Sequence, residues 1–92
     1  MENTAKTRIL VVEDDRSVLS TIATMLNLKG YEVETASDGF DALMHLKDNI
    51  SDLIVSDLNM PQMSGFELLS VVHRRYPQIK VIATSGAYDA SD

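Results

Sequence analysis

Four short strand-like segments alternate along the chain with three stretches whose apolar residues recur at helical spacing, and this alternation is the feature that most limits the fold. The strand-like segments are Arg8 to Val12 (RILVV), Tyr31 to Ala36 (YEVETA), Leu53 to Ser56 (LIVS) and Lys80 to Thr84 (KVIAT). Strands and helices joined in turn by short connections close as right-handed parallel crossovers, so the expected fold is α/β: an open, doubly wound parallel sheet covered by helices. RILVV is continuously apolar and β-branched, as a strand buried on both faces requires, and is expected at the centre. YEVETA alternates apolar with charged residues and suits an edge. LIVS reads as a second buried strand.

The helical stretches carry Val18, Leu19, Ile22, Met25 and Leu26, stopped by Gly30; Phe40, Leu43 and Leu46, ending near Asp48 and Asn49; and Phe66, Leu69, Val72 and Tyr76, ending before Pro77. These residues are expected to face the core, with the helix methionines filling it. Ser37, Asp38 and Gly39 read as a turn, and Asp57 to Gly65 as a loop containing Pro61.

With 92 residues and 45% hydrophobic content, the chain is expected to form one domain over residues 1–92, led by a polar segment at 1–7. Eight Lys and Arg against fourteen Asp and Glu give a net charge of −6, which argues against direct contact with nucleic acid, where clustered cations are needed. The absence of cysteine excludes disulfides and thiolate metal sites. No run approaches the roughly 20 apolar residues of a membrane span, and Met1 to Arg8 lacks the apolar segment of a signal peptide. The expected location is cytoplasmic, with no membrane partner.

In an open parallel sheet, functional groups gather at the carboxyl ends of the strands. Here the first strand ends in Glu13, Asp14 and Asp15, the third in Asp57, and the fourth in Thr84 and Ser85. Carboxylates crowded together repel one another, and a cation is the natural compensator. Oxygen ligands without Cys or His favour a hard ion, and a site with few carboxylates and room for phosphate suits Mg²⁺. Each residue also has a plainer reading. Asp14 or Asp15 could cap the first helix, Asp57 could begin a turn, and Ser85–Gly86 could be one. His45 and His73 stand in helices without a second ligand at metal spacing, so surface or interface roles are expected of them.

The segments ILVVEDD at 9–15, SDLIVSDLNMPQMSGFELL at 51–69 and KVIATSG at 80–86 together resemble the receiver domain of bacterial two-component response regulators. The resemblance runs from Arg8 to about Gly86. It implies a flavodoxin-like sheet of order 2-1-3-4. It makes Asp57 the phosphoacceptor, with Mg²⁺ held by Asp14 and Asp57, by Glu13 through water and by the backbone carbonyl of Asn59. Ser85 becomes the hydroxyl that meets the phosphoryl oxygen, with Gly86 leaving room beside it. The implied reaction moves a phosphoryl group from the phosphohistidine of a sensor histidine kinase, or a phosphotransfer protein, to the Asp57 carboxylate. The chain would catalyse its own phosphorylation and dephosphorylation and no other reaction, and would then switch contacts with a downstream effector that the sequence leaves unidentified.

The chain departs from the family pattern after its fourth strand. The family's fifth strand, flanking helices and phosphoryl-pairing lysine have no counterpart, since the only lysines are Lys6, Lys29, Lys47 and Lys80 and none is placed to substitute. On this reading the chain is an excised piece, or the ordered part, of a longer protein. Two further readings follow: a pseudo-receiver acting only through protein contacts, or a homodimer in which two copies cover each other's exposed surface. A metal-dependent phosphohydrolase is a third, opposed by Asn59 standing where a second Asp would be needed.

Overall fold

The computed structural model describes residues 6–60 and 63–84. Along the chain run β1 (Arg8–Val12), α1 (Arg16–Leu28), β2 (Glu32–Ala36), α2 (Gly39–Asp48), β3 (Leu53–Asp57), α3 (Gly65–Arg75) and β4 (Lys80–Thr84). The four strands form one parallel sheet, as the alternation predicts, in the order β2-β1-β3-β4 that the resemblance implies. β1 is central and β2 lies at an edge.

Strand parity divides the core. Leu10 and Val12 of β1 and Ile54 of β3 pack on one face with Ala42 and Leu46 of α2 and Leu68 and Val72 of α3. Ile9 and Val11 point to the opposite face, where α1 packs on β1 and β2. Each helix starts where a side chain takes up orphan backbone N–H groups. Asp15 accepts from Ser17 and Val18, Asp38 accepts from Asp41, and Ser64 forms a reciprocal capping box with Glu67. At the far end of α1, Gly30 takes a φ of 96°, a left-handed conformation that a side chain would oppose.

The sequence reading of the helix faces holds for Leu46 and Val72, which are buried, and for Leu43 and Tyr76, which pack against the core, and needs correction elsewhere. None of α1's residues is buried, and Val18 and Met25 are exposed. In α2 the buried residues are Gly39, Ala42 and Leu46, leaving Phe40 exposed; in α3 they are Gly65, Leu68 and Val72, with Phe66 64% exposed. The helix methionines do not fill the core: Met25 is 56% and Met44 61% exposed, whereas Met60, from the loop after β3, is buried. Leu46 is buried and Leu43 packs against the core, so of these three α2 positions Phe40, about 120° around the helix from Leu46, is the one left outside. Gly39 belongs to α2 rather than to a turn, and Asp57 and Gly65 close β3 and open α3 instead of bounding a loop. Among the described residues, no helix is long and apolar enough to cross a membrane.

Candidate functional site

β1 and β3 run side by side with Val12 opposite Ser56, so one further step of the register sets Glu13 beside Asp57. On its other side Glu13 is held by β2, its N–H donating to the Ala36 carbonyl at 3.1 Å. Glu13 and Asp57 are both buried and Asp14 is exposed. One carboxylate oxygen from each of the three lies within 4.8 Å of the others. The cluster is compatible with a shared cation, and its donors are all hard, as Mg²⁺ prefers.

Local hydrogen bonds aim these carboxylates. Glu13 Oε2 accepts the Asp15 N–H at 3.1 Å, and Asp57 Oδ1 accepts the Asn59 N–H at 3.0 Å. Asp15 itself turns away to cap α1, its Oδ1 accepting from Ser17 at 2.9 Å and Val18 at 3.1 Å. The acidic run therefore splits into a pair facing Asp57 and a helix cap. Burial raises the Glu13 carboxyl above its ordinary value of 4.5; the Asp15 N–H opposes this, while the nearby Asp57 and Asp14 add to it.

Neighbouring elements fix the loop after Asp57. Leu58 N–H donates to the Thr84 carbonyl at 2.7 Å, and Gly65 N–H donates to the Leu58 carbonyl at 3.1 Å. Thr84, the last described residue of β4, pairs with Asp57 in register, which places Lys80 at the opposite end of the sheet beside Leu53. Ser85 and Gly86 lie outside the described residues, as does Pro61. His45 is no part of this site. Its Nδ1 lies 3.2 Å from Glu34 Oε1 and its Nε2 3.7 Å from Asp41 Oδ1, joining β2 to α2.

A family model described as the response regulator receiver domain matches residues 9–92. The chain belongs to the response regulator receiver family. Among curated relatives of this receiver domain, the transcriptional regulatory protein PrrA of Mycobacterium bovis is 36% identical over 85 residues, covering 92% of this chain and 36% of PrrA. The response regulator protein FleR of Pseudomonas aeruginosa is also 36% identical, over 92% of this chain and 18% of FleR. The receiver chain thus spans about a third or less of these relatives. Among solved structures, the chemotaxis response regulator CheY4 of Vibrio cholerae superposes with a TM-score of 0.82 at 36% identity, over 86% of this chain and 68% of that one. A crystal structure of histidine kinase ThkA in complex with response regulator protein TrrA matches with a TM-score of 0.83 at 29% identity, over 94% of this chain and 74% of that one.

Sequence reasoning singled out Glu13, Asp14, Asp57 and Asn59, and the structure brings the three carboxylates together. It missed Leu58 and Gly65, whose contributions are made by backbone atoms. The signal present for Gly65 was a glycine directly after a capping serine, where the chain must pass close to something.

Proposed function

We propose that this receiver domain takes a phosphoryl group onto Asp57 from the phosphohistidine of a histidine kinase, with Mg²⁺ held by Asp14, Asp57, the Asn59 carbonyl and, through water, Glu13. The observation that carries this reading is the meeting of the Glu13, Asp14 and Asp57 carboxylate oxygens within 4.8 Å. When bound, Mg²⁺ would screen the repulsion between the carboxylates and the incoming anionic phosphoryl group. The chain's own residues supply the rest. Asn59 N–H orients the Asp57 carboxylate, a carboxylate oxygen attacks phosphorus, the P–N bond breaks, and the imidazole leaves with the bonding electrons. The similarity to the ThkA–TrrA structure supports a kinase as donor. The chemistry is confined to the domain's own phosphorylation and dephosphorylation, carried out in the cytoplasm, and its product is an altered protein-binding surface.

Intact-protein mass and amide NMR spectra, recorded with Mg²⁺ before and after adding acetyl phosphate, test the proposal. A phosphoryl mass gain and Mg²⁺-dependent shifts at Glu13, Asp14 and Asp57, all lost in Asp57→Asn, are expected. A folded wild-type chain that gains no mass would overturn phosphoacceptance and leave a module acting through contacts alone.

A further inference from the structure

Two buried glycines open helices around the site, each directly after a capping side chain, Asp38 before Gly39 and Ser64 before Gly65. Their surroundings differ. A Cβ on Gly39 would come within 2.6 Å of Met63 Sδ and 2.8 Å of its Cγ, both in a flexible side chain able to swing aside. A Cβ on Gly65 would meet backbone: first the Asp57 carbonyl oxygen, then Leu58 Cα at 2.6 Å and the Asp57 carbonyl carbon at 2.9 Å. Those atoms cannot rotate out of the way. Asp57 is in β3, Leu58 is tied to Thr84, and α3 is anchored by Leu68 and Val72 in the core. A side chain at position 65 must therefore move the Asp57–Leu58 backbone or lift the start of α3.

We propose that Gly65 is a positioning residue for the phosphoacceptor: its bare Cα seats α3 against the Asp57–Leu58 backbone and so sets where the Asp57 carboxylate and Asn59 carbonyl stand relative to Glu13 and Asp14. The inference rests on the reading of Asp57 as acceptor beside Mg²⁺. It also explains why a residue of poor helix propensity occupies the first position of α3, where alanine would otherwise favour the helix.

The test compares Gly65→Ala with Gly39→Ala, which makes the same exchange at the first residue of α2, and with Val72→Ala, which weakens α3 away from the site. All are measured in sucrose, which favours the folded state without altering its contacts. Amide NMR follows Asp57 and Asn59 through a Mg²⁺ titration, and intact mass follows acetyl phosphate uptake. Gly65→Ala is expected to shift the Asp57 and Asn59 amides before any Mg²⁺ is added and to raise half-saturating Mg²⁺ about tenfold. It should also slow uptake by on the order of 100-fold, the cost of a misplacement near 1 Å. Gly39→Ala and Val72→Ala should keep wild-type half-saturation, although Val72→Ala unfolds at lower temperature.

Unchanged Mg²⁺ half-saturation in folded Gly65→Ala would overturn the proposal, as would an equal change in Gly39→Ala. A Gly65→Ala chain that stays unfolded in sucrose would assign the contact to folding and overturn it too. If the wild type neither takes up phosphoryl nor responds to Mg²⁺, the acceptor reading fails, and the metal-free amide shifts alone decide whether Gly65 positions Asp57.

Discussion

Glu13 stands where two requirements conflict, since its carboxyl is buried beside Asp14 and Asp57 and would have to be ionised to help hold the proposed cation. Burial is the main reason that its folded-state pKa lies above the ordinary 4.5. Below pH 4.5 the group is protonated in both the folded and unfolded chain, and its neutral form costs the fold nothing. As pH rises through the raised value, the folded chain must carry a poorly solvated charge, and that part of the stability is lost and stays absent at pH 7. Glu13→Gln should therefore raise the urea midpoint of the metal-free chain at pH 7 and leave it nearly unchanged below pH 4.5. It should also reduce the stabilisation that added Mg²⁺ confers on the wild type. Urea titrations of both chains at pH 4 and 7, with and without Mg²⁺, check this; a lower midpoint for Glu13→Gln at pH 7 without Mg²⁺ would contradict it. Glu13 was legible in the sequence because it continues a buried strand into an acidic run. Its closeness to Asp57 depended on the β1–β3 register, which no local pattern specifies.

The strands were legible to within a residue because short β-branched runs between polar turns have few other uses. The helix positions were legible too, and their inward faces in part, since Leu46 and Val72 are buried and Leu43 and Tyr76 pack against the core. Phe40 and Phe66 were taken as buried and are exposed, whereas the small Gly39, Ala42 and Gly65 are buried. Small residues give no hydrophobic signal, yet they let a helix come down onto its neighbours. The mutational cost along the helices should follow burial in the structure and not apolar character. Leu68→Ala, in the core, should cost about 2–5 kcal/mol, while Met25→Gln on α1 should change stability by less than about 0.5 kcal/mol. Ser64→Ala falls between, at about 1 kcal/mol, since it removes the cap that accepts the Glu67 N–H. Urea unfolding orders the three; Met25→Gln costing as much as Leu68→Ala would mean that α1 is buried in solution.

Across the whole molecule, the two faces of the sheet are covered unequally. α2 and α3 close one face over Leu10, Val12 and Ile54, whereas α1 packs on β1 and β2 of the other. On that second face Val55 is only half-buried, and Ile82, its register partner on β4, is 51% exposed. Among the described residues β4 pairs on one side only, with β3. An apolar strip beside an open strand edge is the arrangement that recruits further chain, and charges on such strands are the usual defence. Lys80 supplies one at the start of β4, but the rest of the strand, Val81 to Thr84, has none. The 92-residue chain should therefore show a sedimentation coefficient that rises with concentration, and Ile82→Lys should suppress the rise while changing stability by less than about 0.5 kcal/mol. Val81→Lys separates exposure from strand position: Val81 packs against the core on the opposite face, so the same charge one residue earlier should destabilise the fold. If Ile82→Lys associates as the wild type does, the strip on β4 is not the surface that joins copies. If Ile82→Lys unfolds the chain as readily as Val81→Lys, Ile82 is covered in solution, and the second face of the sheet is closed by contacts beyond those that α1 makes.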